Sequence, residues 1–209
     1  MSILNNLQWR YATKRFAPEM KLTDSELLTI KESIRLAPTS FGLQPFKVYV
    51  VEEIALRKKL QAYAWNQPQI VEASHLMVFA RKENVSIEDV REFIDNISNV
   101  REVDMAHLKG YQDMMNQWVT SMEDEAMKEW TSRQTYLALG TAITTCASIG
   151  VDACPMEGFD PVAFDEILEL QDSGYSSKVI LTLGFRDEKD QTQYDKKVRK
   201  GLDQLFEAR

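Results

Sequence analysis

The chain has 209 residues, 44% of them hydrophobic and 27% charged, and a formal net charge of −7. This length and composition fit one globular domain with a substantial core, so we expect a single domain over 1–209. The acidic balance argues against a nucleic-acid partner, because duplex binding draws most of its affinity from Lys and Arg. No run of about 18 apolar residues occurs, so we expect no membrane-spanning segment.

Disulfide and metal chemistry are not expected either. The cysteines, Cys146 and Cys154, form no Cys-x-x-Cys arrangement, and His75 and His107 are isolated, so no metal site is predicted. The N-terminus has no cationic region followed by an apolar run, as a secretory signal would. A cytoplasmic location is the simplest expectation.

Helical and extended patterns alternate along the chain. The capping box at 23–26 precedes an apolar stripe of helical spacing that Pro38 ends. The predicted elements that follow are a strand over 46–51, a helix over about 53–64, a strand over 75–80, a helix after Ser86, helices through most of 105–149, a strand over 151–154, a helix from Asp160 and a strand over 177–183. The pattern indicates a mixed α/β layer with more helix than sheet.

Two segments of the chain stand out by composition, one strongly apolar and one strongly polar. The helix over about 125–149 is apolar on most faces around Leu137, Leu139, Ile143 and Cys146, so we expect it in the core. The stretch 187–194 contains almost nothing to bury, so we expect it to lie across a surface.

Small basic clusters stand at opposite ends of this acidic chain: Arg10 with Lys14, and Lys197 with Arg199. Paired cations at both ends suggest one site for a doubly negative group such as a phosphate monoester. The eight glycines are too scattered for a Rossmann fingerprint or a P-loop, so side chains would have to hold the phosphate. Alternatively, Arg10 and Lys14 stabilise a helix C-terminus, and Lys197 and Arg199 are solvated tail charges.

Two further segments are candidates for a functional site, the loop 37–46 and the turn 155–159. The loop could be an ordinary helix-to-strand connection whose hydroxyls bond nearby backbone. The turn could be a strand exit before the Asp160 cap.

Taken together, these segments resemble the nitroreductase family of FMN-dependent oxidoreductases, in particular its oxygen-insensitive NAD(P)H nitroreductase and dihydropteridine reductase branch. The resemblance covers nearly the whole chain. It is carried by Arg10-x-x-Thr13-Lys14-x-Phe16, Pro38-x-Ser40-x-x-x-Gln44-Pro45, Ala73-Ser74-His75, Glu129-Trp130 with Gln134-x-Tyr136-Leu137-x-x-Gly140, Pro155-x-Glu157-Gly158-Phe159, and Lys197-x-Arg199.

The resemblance implies an α+β fold with a central mixed sheet surrounded by helices. It also implies an intertwined homodimer with FMN at the interface, and a C-terminal extension over 185–209 that wraps the partner subunit. No metal is implied. The implied cofactor-binding residues are Arg10, Tyr11, Ala12, Lys14, Pro38, Thr39, Ser40, Asn66, Gln69, Pro155, Met156, Glu157, Gly158, Lys197 and Arg199.

Within this set the resemblance assigns different parts of FMN to different residues. Arg10, Lys197 and Arg199 would hold the phosphate, and Lys14 and Asn66 would face the polar edge of the ring. Residues 38–40 would come from the partner subunit. The backbone of 155–158 would lie against the flavin, with the amide of Glu157 or Gly158 near N5 and O4. Lys14 and Glu157 are therefore the implied catalytic residues.

Three positions depart from the family pattern. Ala12 stands where the family usually has a Ser, which removes one phosphate hydrogen bond of about 1 kcal/mol. Gln69 stands where close relatives carry a Lys near the ring, and one fewer cation there would lower the flavin potential. Gly42 replaces a residue that is often polar.

The implied reaction is hydride transfer from NADH or NADPH to flavin N5, followed by reduction of a small aromatic acceptor such as a nitroaromatic or quinone at the same face. Alternatives are a member specialised for flavin, pteridine or dehalogenation chemistry, and a non-enzymatic flavoprotein that binds or senses FMN. Five of the nine methionines lie between Met105 and Met127, beside Tyr111 and Trp118. They either line a substrate channel or simply pack helices.

Overall fold

The computed structural model describes residues 2–209. The helices are α1 (Ile3–Trp9), α2 (Asp24–Arg35), α3 (Ile54–Ala62), α4 (Gln69–Glu72), α5 (Ile87–Arg101), α6 (Met105–Thr120), α7 (Asp124–Ser148), α8 (Pro161–Ile167) and α9 (Leu202–Leu205). The strands are β1 (Phe46–Val51), β2 (His75–Lys82), β3 (Asp152–Met156) and β4 (Tyr175–Gly184). Single 3-10 turns cover Ser40–Gly42 and Gln191–Tyr194.

The four strands form one sheet in the order β1-β2-β4-β3. All three neighbouring pairs are antiparallel, with Val51 opposite Leu76 and Asp152 opposite Gly184. The expected central sheet is therefore present, but the expectation that it is mixed is wrong for these strands. Among residues 2–209 the one parallel pairing outside them is the isolated bridge between Ala12 and Ala153.

Side chains alternate between the two faces of the sheet, as the pleat of a strand requires. On β2, Met77 and Phe79 point into a core shared with α2 and α7. Leu76 and Val78 point into a second core that includes residues of α3, α4 and α8. Helices therefore cover both faces, and a third core joins α5, α6 and the start of α7.

Most helix boundaries follow the capping signals in the sequence. Thr23 and Glu26 form the predicted capping box, and Ser86 caps α5 through a second one. The predicted core helix is confirmed as α7, with Leu139 and Cys146 buried, but Leu137 is 48% exposed and is not a core residue. α4 was not predicted, because a single turn leaves too little periodicity to detect.

A buried cation fastens α4 to the start of β2. Arg57 of α3 is fully buried, and its guanidinium donates to the carbonyl oxygens of Ile70 at 2.7 Å, Ala73 at 2.6 Å and Ser74 at 3.1 Å. Burial lowers the pKa of Arg57 to about 10. The ion is held by main-chain dipoles alone, since no carboxylate among residues 2–209 pairs with it.

A bilayer-crossing helix is not found among residues 2–209, because none of the helices combines the required length with the required hydropathy.

Candidate functional site

A cleft of about 590 Å³ opens between the N-terminal segment, the end of β3 and the segment that follows β4. The two termini of the chain supply most of its wall, as the distribution of basic residues predicted. It is lined by Gln8, Trp9, Arg10, Tyr11, Ala12, Pro155, Thr192, Gln193, Tyr194, Asp195, Lys196, Lys197 and Arg199.

Three cations of this cleft lie close enough to affect one another. Burial lowers the pKa of Arg10, and the charge of Arg199 lowers it further. The pKa of Lys197 is lowered by burial and then by Arg10 and Arg199. None of the three forms an ion pair within the described residues, and the Nε of Arg10 is buried without a hydrogen-bond partner there. Such a set of cations favours a multiply charged anion.

Lys197 also joins the two ends of the chain. Its ammonium group donates to the carbonyl oxygen of Leu7 at 2.8 Å and to that of Arg10. A cation is favourable at this place because α1 ends here and its last carbonyls lack helical partners. Lys197 is therefore not a freely solvated tail charge, and it occupies the helix end that the alternative interpretation gave to Arg10 and Lys14.

An aromatic and ionic cluster holds the N-terminal segment on the sheet. Arg186 pairs with the buried carboxylate of Asp152, with an Nη2 to Oδ1 distance of 2.6 Å. Its guanidinium also lies 4.3 Å from the ring centre of Trp9 and 4.7 Å from that of Tyr11. These cation–π contacts hold Trp9 and Tyr11, the residues on either side of Arg10, in place.

The segment 187–194 is anchored rather than simply laid over a surface, which corrects the expectation drawn from its polarity. Asp190 is only 2% exposed. Its carboxylate accepts hydrogen bonds from the Lys14 amide at 2.7 Å, the Tyr11 hydroxyl at 2.9 Å and the Thr192 hydroxyl at 2.5 Å. The signal available in the sequence was an Asp-x-Thr cap, which is too common to single out.

Lys14 and Gln69 lie near the same buried thiol, that of Cys154, beside Pro155. Burial raises the pKa of Cys154, while Lys14 and Gln69 act in the opposite direction. Gln69 is buried, and its Oε1 has no partner within residues 2–209. Lys14 and Gln69 therefore approach the end of β3 that borders the cleft, although neither lines the cleft itself.

The turn after β3 is clamped from several directions. Tyr136 donates to the carboxylate of Glu157, and Gln67 donates to the Gly158 carbonyl oxygen at 2.8 Å. The Trp65 ring lies so close to Gly158 that a Cβ there would be 2.3 Å from it. Trp65 and Asn66 both have φ above 50°, a region that non-glycine residues seldom adopt. Met156 is buried in the second core.

The amides of this turn remain available. Among residues 2–209, neither Glu157 nor Gly158 donates its backbone N–H to another protein group. A turn held rigidly by side chains with free N–H groups can position hydrogen-bond donors for a ligand.

The loop 38–45 does not reach the cleft within one chain. The Ser40 amide donates to the buried Gln134 side chain at 2.8 Å, and the Thr39 hydroxyl accepts from the Gln44 amide at 3.1 Å. Pro38, Thr39 and Ser40 are absent from the residues that line the cleft. Gln134 was not among the expected site residues, although its spacing within α7 is part of the motif quoted above.

The methionine-rich region is divided between packing and the surface, since Met105 and Met114 are exposed. Met115 and Met127 are buried in the third core. Trp118 lies edge-to-face between Phe41 at 5.1 Å and Trp130 at 4.8 Å, measured between ring centres. α6 is therefore coupled to the loop 38–45 through Trp118.

Comparison with known proteins identifies the family. The sequence model of the Nitroreductase family matches residues 7–185. A protein of Staphylococcus haemolyticus, named "Putative NAD(P)H nitroreductase SH0546", is 32% identical over 216 aligned positions, which cover 99% of this chain and 96% of that protein. A similarly named protein of Staphylococcus aureus, SAUSA300_2462, is 36% identical, with 90% and 87% covered.

Solved structures share the fold at low sequence identity. YdfN of Bacillus subtilis has a TM-score of 0.89 at 19% identity, covering 99% of this chain and 98% of that one. A protein of Exiguobacterium sibiricum, crystallised in complex with FMN, has a TM-score of 0.86 at 15% identity, with 100% and 98% covered. The family match over most of the chain and the shared architecture lead to one conclusion: this chain belongs to the nitroreductase family of oxidoreductases.

Proposed function

We propose that the protein is an FMN-dependent NAD(P)H oxidoreductase that reduces nitroaromatics, quinones or related small aromatic acceptors, and that it acts as a homodimer. The observation that carries the proposal is the trio of cations in the cleft, with a buried Arg10 Nε that has no partner among residues 2–209. The family match and the FMN complex of a protein of the same fold support it.

The phosphate of FMN fits the cationic end of the cleft. Arg10 and Arg199 offer guanidinium groups that have no carboxylate partner among residues 2–209, and Lys197 adds an ammonium group beside them. Arginine is suited to a phosphate because its planar fork can donate two parallel hydrogen bonds. Tyr11 and Ala12 line the same wall, so the missing hydroxyl at Ala12 lowers the number of donors by one.

The flavin ring fits the end of β3. Lys14, Asn66 and Gln69, whose Oε1 has no partner among residues 2–209, are the side chains proposed to meet its polar edge. The backbone of 155–158 is proposed to lie beside it. The free amides of Glu157 and Gly158 supply the donors that this edge requires.

Bound FMN would supply two-electron hydride chemistry between a nicotinamide donor and the acceptor. The protein's own residues bind and orient. Lys14 would stabilise negative charge at the edge of the ring, and the clamped turn would hold its amides fixed without reorganisation. No side chain of this site is proposed as a nucleophile.

The homodimer is supported by apolar side chains that lie at the surface of one chain. They belong to α1, α7, α9 and the residues around α9, namely Ile3, Leu4, Leu137, Val198, Leu202, Leu205 and Phe206. Exposed apolar side chains in this number support an interface with a second copy. Because Asp190 and Lys197 bind their own chain and Arg199 lines its own cleft, the part of the extension proposed to reach the partner begins after Arg199. Residues 38–40 would then enter the partner's site.

The deciding experiment is reconstitution with FMN followed by anaerobic titration. The purified protein should take up FMN and display absorption that bleaches with NADH or NADPH and returns with a nitroaromatic or quinone. Uptake of FMN without bleaching would favour the non-enzymatic flavoprotein, and failure to take up FMN would refute both. Bleaching that only flavins, pteridines or halogenated rings reverse would identify a specialised member.

A matched pair of variants tests the phosphate end. Arg10→Gln should raise the FMN dissociation constant about 10- to 100-fold, since a hydrogen bond to a charged group contributes about 1.5–3 kcal/mol. Arg91→Gln removes an equal charge from the exposed face of α5 and should leave the constant unchanged. Equal constants for the two variants would mean that the phosphate binds elsewhere.

A further inference from the structure

The carboxylate of Asp190 bonds to two residues that line the cleft, Tyr11 and Thr192. One oxygen accepts from the Tyr11 hydroxyl at 2.9 Å and from the amides of Lys14 at 2.7 Å and Arg15 at 3.2 Å. The other accepts from the amide and hydroxyl of Thr192, at 3.0 and 2.5 Å. The side chain is almost completely buried, so these groups replace its hydration.

The five donors belong to two segments that are far apart in sequence. Tyr11, Lys14 and Arg15 lie on the N-terminal segment that carries Arg10. Thr192 lies in the 3-10 turn over Gln191–Tyr194, which leads directly to Lys197 and Arg199. Asp190 therefore joins the two halves of the cationic cleft, and both halves must be in register for the three cations to meet one ligand.

The bonding pattern also leaves the cations of the cleft without an ion pair to Asp190. Its oxygens are taken by amides and hydroxyls, and it forms no ion pair with Arg10, Lys14 or Lys197. The hydrogen bonds lower the pKa of Asp190 in spite of its burial, so the group is ionised at neutral pH. A charge near an anion site weakens binding by Coulomb repulsion, whereas holding the site in register strengthens it. These two effects have opposite signs.

We propose that Asp190 is a positioning residue of the cofactor site, which fixes Lys14 and the cations of both chain ends in the geometry that binds FMN. The inference rests on the proposed function. It concerns a residue beyond the segment 7–185 that the family model matches. Asp190 touches neither the substrate nor the cofactor in this proposal.

Asp190→Asn tests the inference, and Asp187→Asn is its matched control. Asp187 accepts a hydrogen bond from the Asp190 amide through its carbonyl oxygen, and its side chain accepts from the Lys189 amide at 2.7 Å. Within residues 2–209, its carboxylate forms no hydrogen bond to the N-terminal segment. Both changes remove one negative charge. In Asp190→Asn the side-chain NH₂ must face N–H or O–H donors on one side. The hydrogen bonds on that side are lost, and with them the alignment of the two chain ends.

The FMN dissociation constant is measured first, by fluorescence quenching. Asp190→Asn should raise it about 10-fold or more, as is usual for residues that orient ligand-binding groups. Asp187→Asn should leave it unchanged or lower it slightly. The potential of bound FMN should become more negative in Asp190→Asn alone, because Lys14 is displaced, and a purely structural role would not cause this shift.

The outcomes separate the two claims. If the wild-type protein binds no FMN, the proposed function and this inference fail together. If the wild-type protein binds FMN and Asp190→Asn binds it equally or more tightly, only the inference fails. Should Asp190→Asn not fold, Tyr11→Phe decides, since it removes one donor to Asp190. It should weaken FMN binding and speed amide exchange at Lys14, and no change in either would overturn the inference.

Discussion

Replacing Arg57 by Met should destabilise the protein strongly. The guanidinium makes three hydrogen bonds to carbonyl oxygens, and each bond to a charged group contributes about 1.5–3 kcal/mol, for a gross loss of about 4.5–9 kcal/mol. Relief of the buried charge and the apolar contacts of Met offset part of this loss. We expect a net loss of about 3–5 kcal/mol in the free energy of unfolding, because three buried carbonyl oxygens are left without a donor.

Denaturant unfolding followed by circular dichroism, at one protein concentration and without added flavin, measures this loss. Lys58→Met is the matched control, because Lys58 is the next residue of α3 and is exposed. It should change stability by no more than about 0.5 kcal/mol. Arg57→Lys should fall between the two, since an ammonium group reaches fewer of the three oxygens. Arg57→Met unfolding within about 1 kcal/mol of the Lys58→Met control would refute the anchoring role.

Three other changes test separate parts of the structure. Gly158→Ala should push the Trp65 ring into solvent, at little cost in stability because Trp65 is already 75% exposed. The resulting change in tryptophan fluorescence should vanish in a Trp65→Phe background. Its persistence there would contradict the assigned contact. Trp118→Ala should alter the acceptor KM or kcat through the contact with Phe41 while FMN content stays constant, and unchanged kinetics would leave Trp118 a packing residue. The folded-state pKa of Asp190 lies below its ordinary value of 3.8, so its contribution to stability is complete above that pH and declines as the pH falls through the lower folded value. Urea unfolding of wild type and Asp190→Asn should therefore converge below about pH 4, and a difference that grows on acidification would disprove this linkage.

Local patterns predicted the parts of the fold that local chemistry controls. The capping box at Thr23 and Glu26 predicted where α2 begins, because the two side chains satisfy each other's backbone amides. The strand β2 was recognised from its apolar run, since both faces of the sheet are covered by helices. Charge placement predicted that Arg10 and Lys14 would meet Lys197 and Arg199. The structure brings Arg10, Lys197 and Arg199 to one cleft, whereas Lys14 does not line it.

Features that depend on distant contacts were not predicted. Asp190 is buried only because the segment that carries Tyr11 and Lys14 folds against it, and a polar stretch has no periodicity that reveals such a contact. Leu137 is exposed because α7 turns that face away from the sheet, although its apolar character suggested the core. Gln134 supports the loop at Ser40 through a bond that spans 94 residues of sequence.

The mutual repulsion of Arg10, Lys197 and Arg199 has a consequence for the amount of protein in a cell. Without a counter-ion, the folded chain keeps three like charges together, and unfolding releases that repulsion. An anionic cofactor at 1,000 times its dissociation constant adds about 4.1 kcal/mol to the free energy of unfolding. Because proteases remove chains that unfold, the proposed function implies that flavin supply controls how much of this protein accumulates as well as how much of it is active.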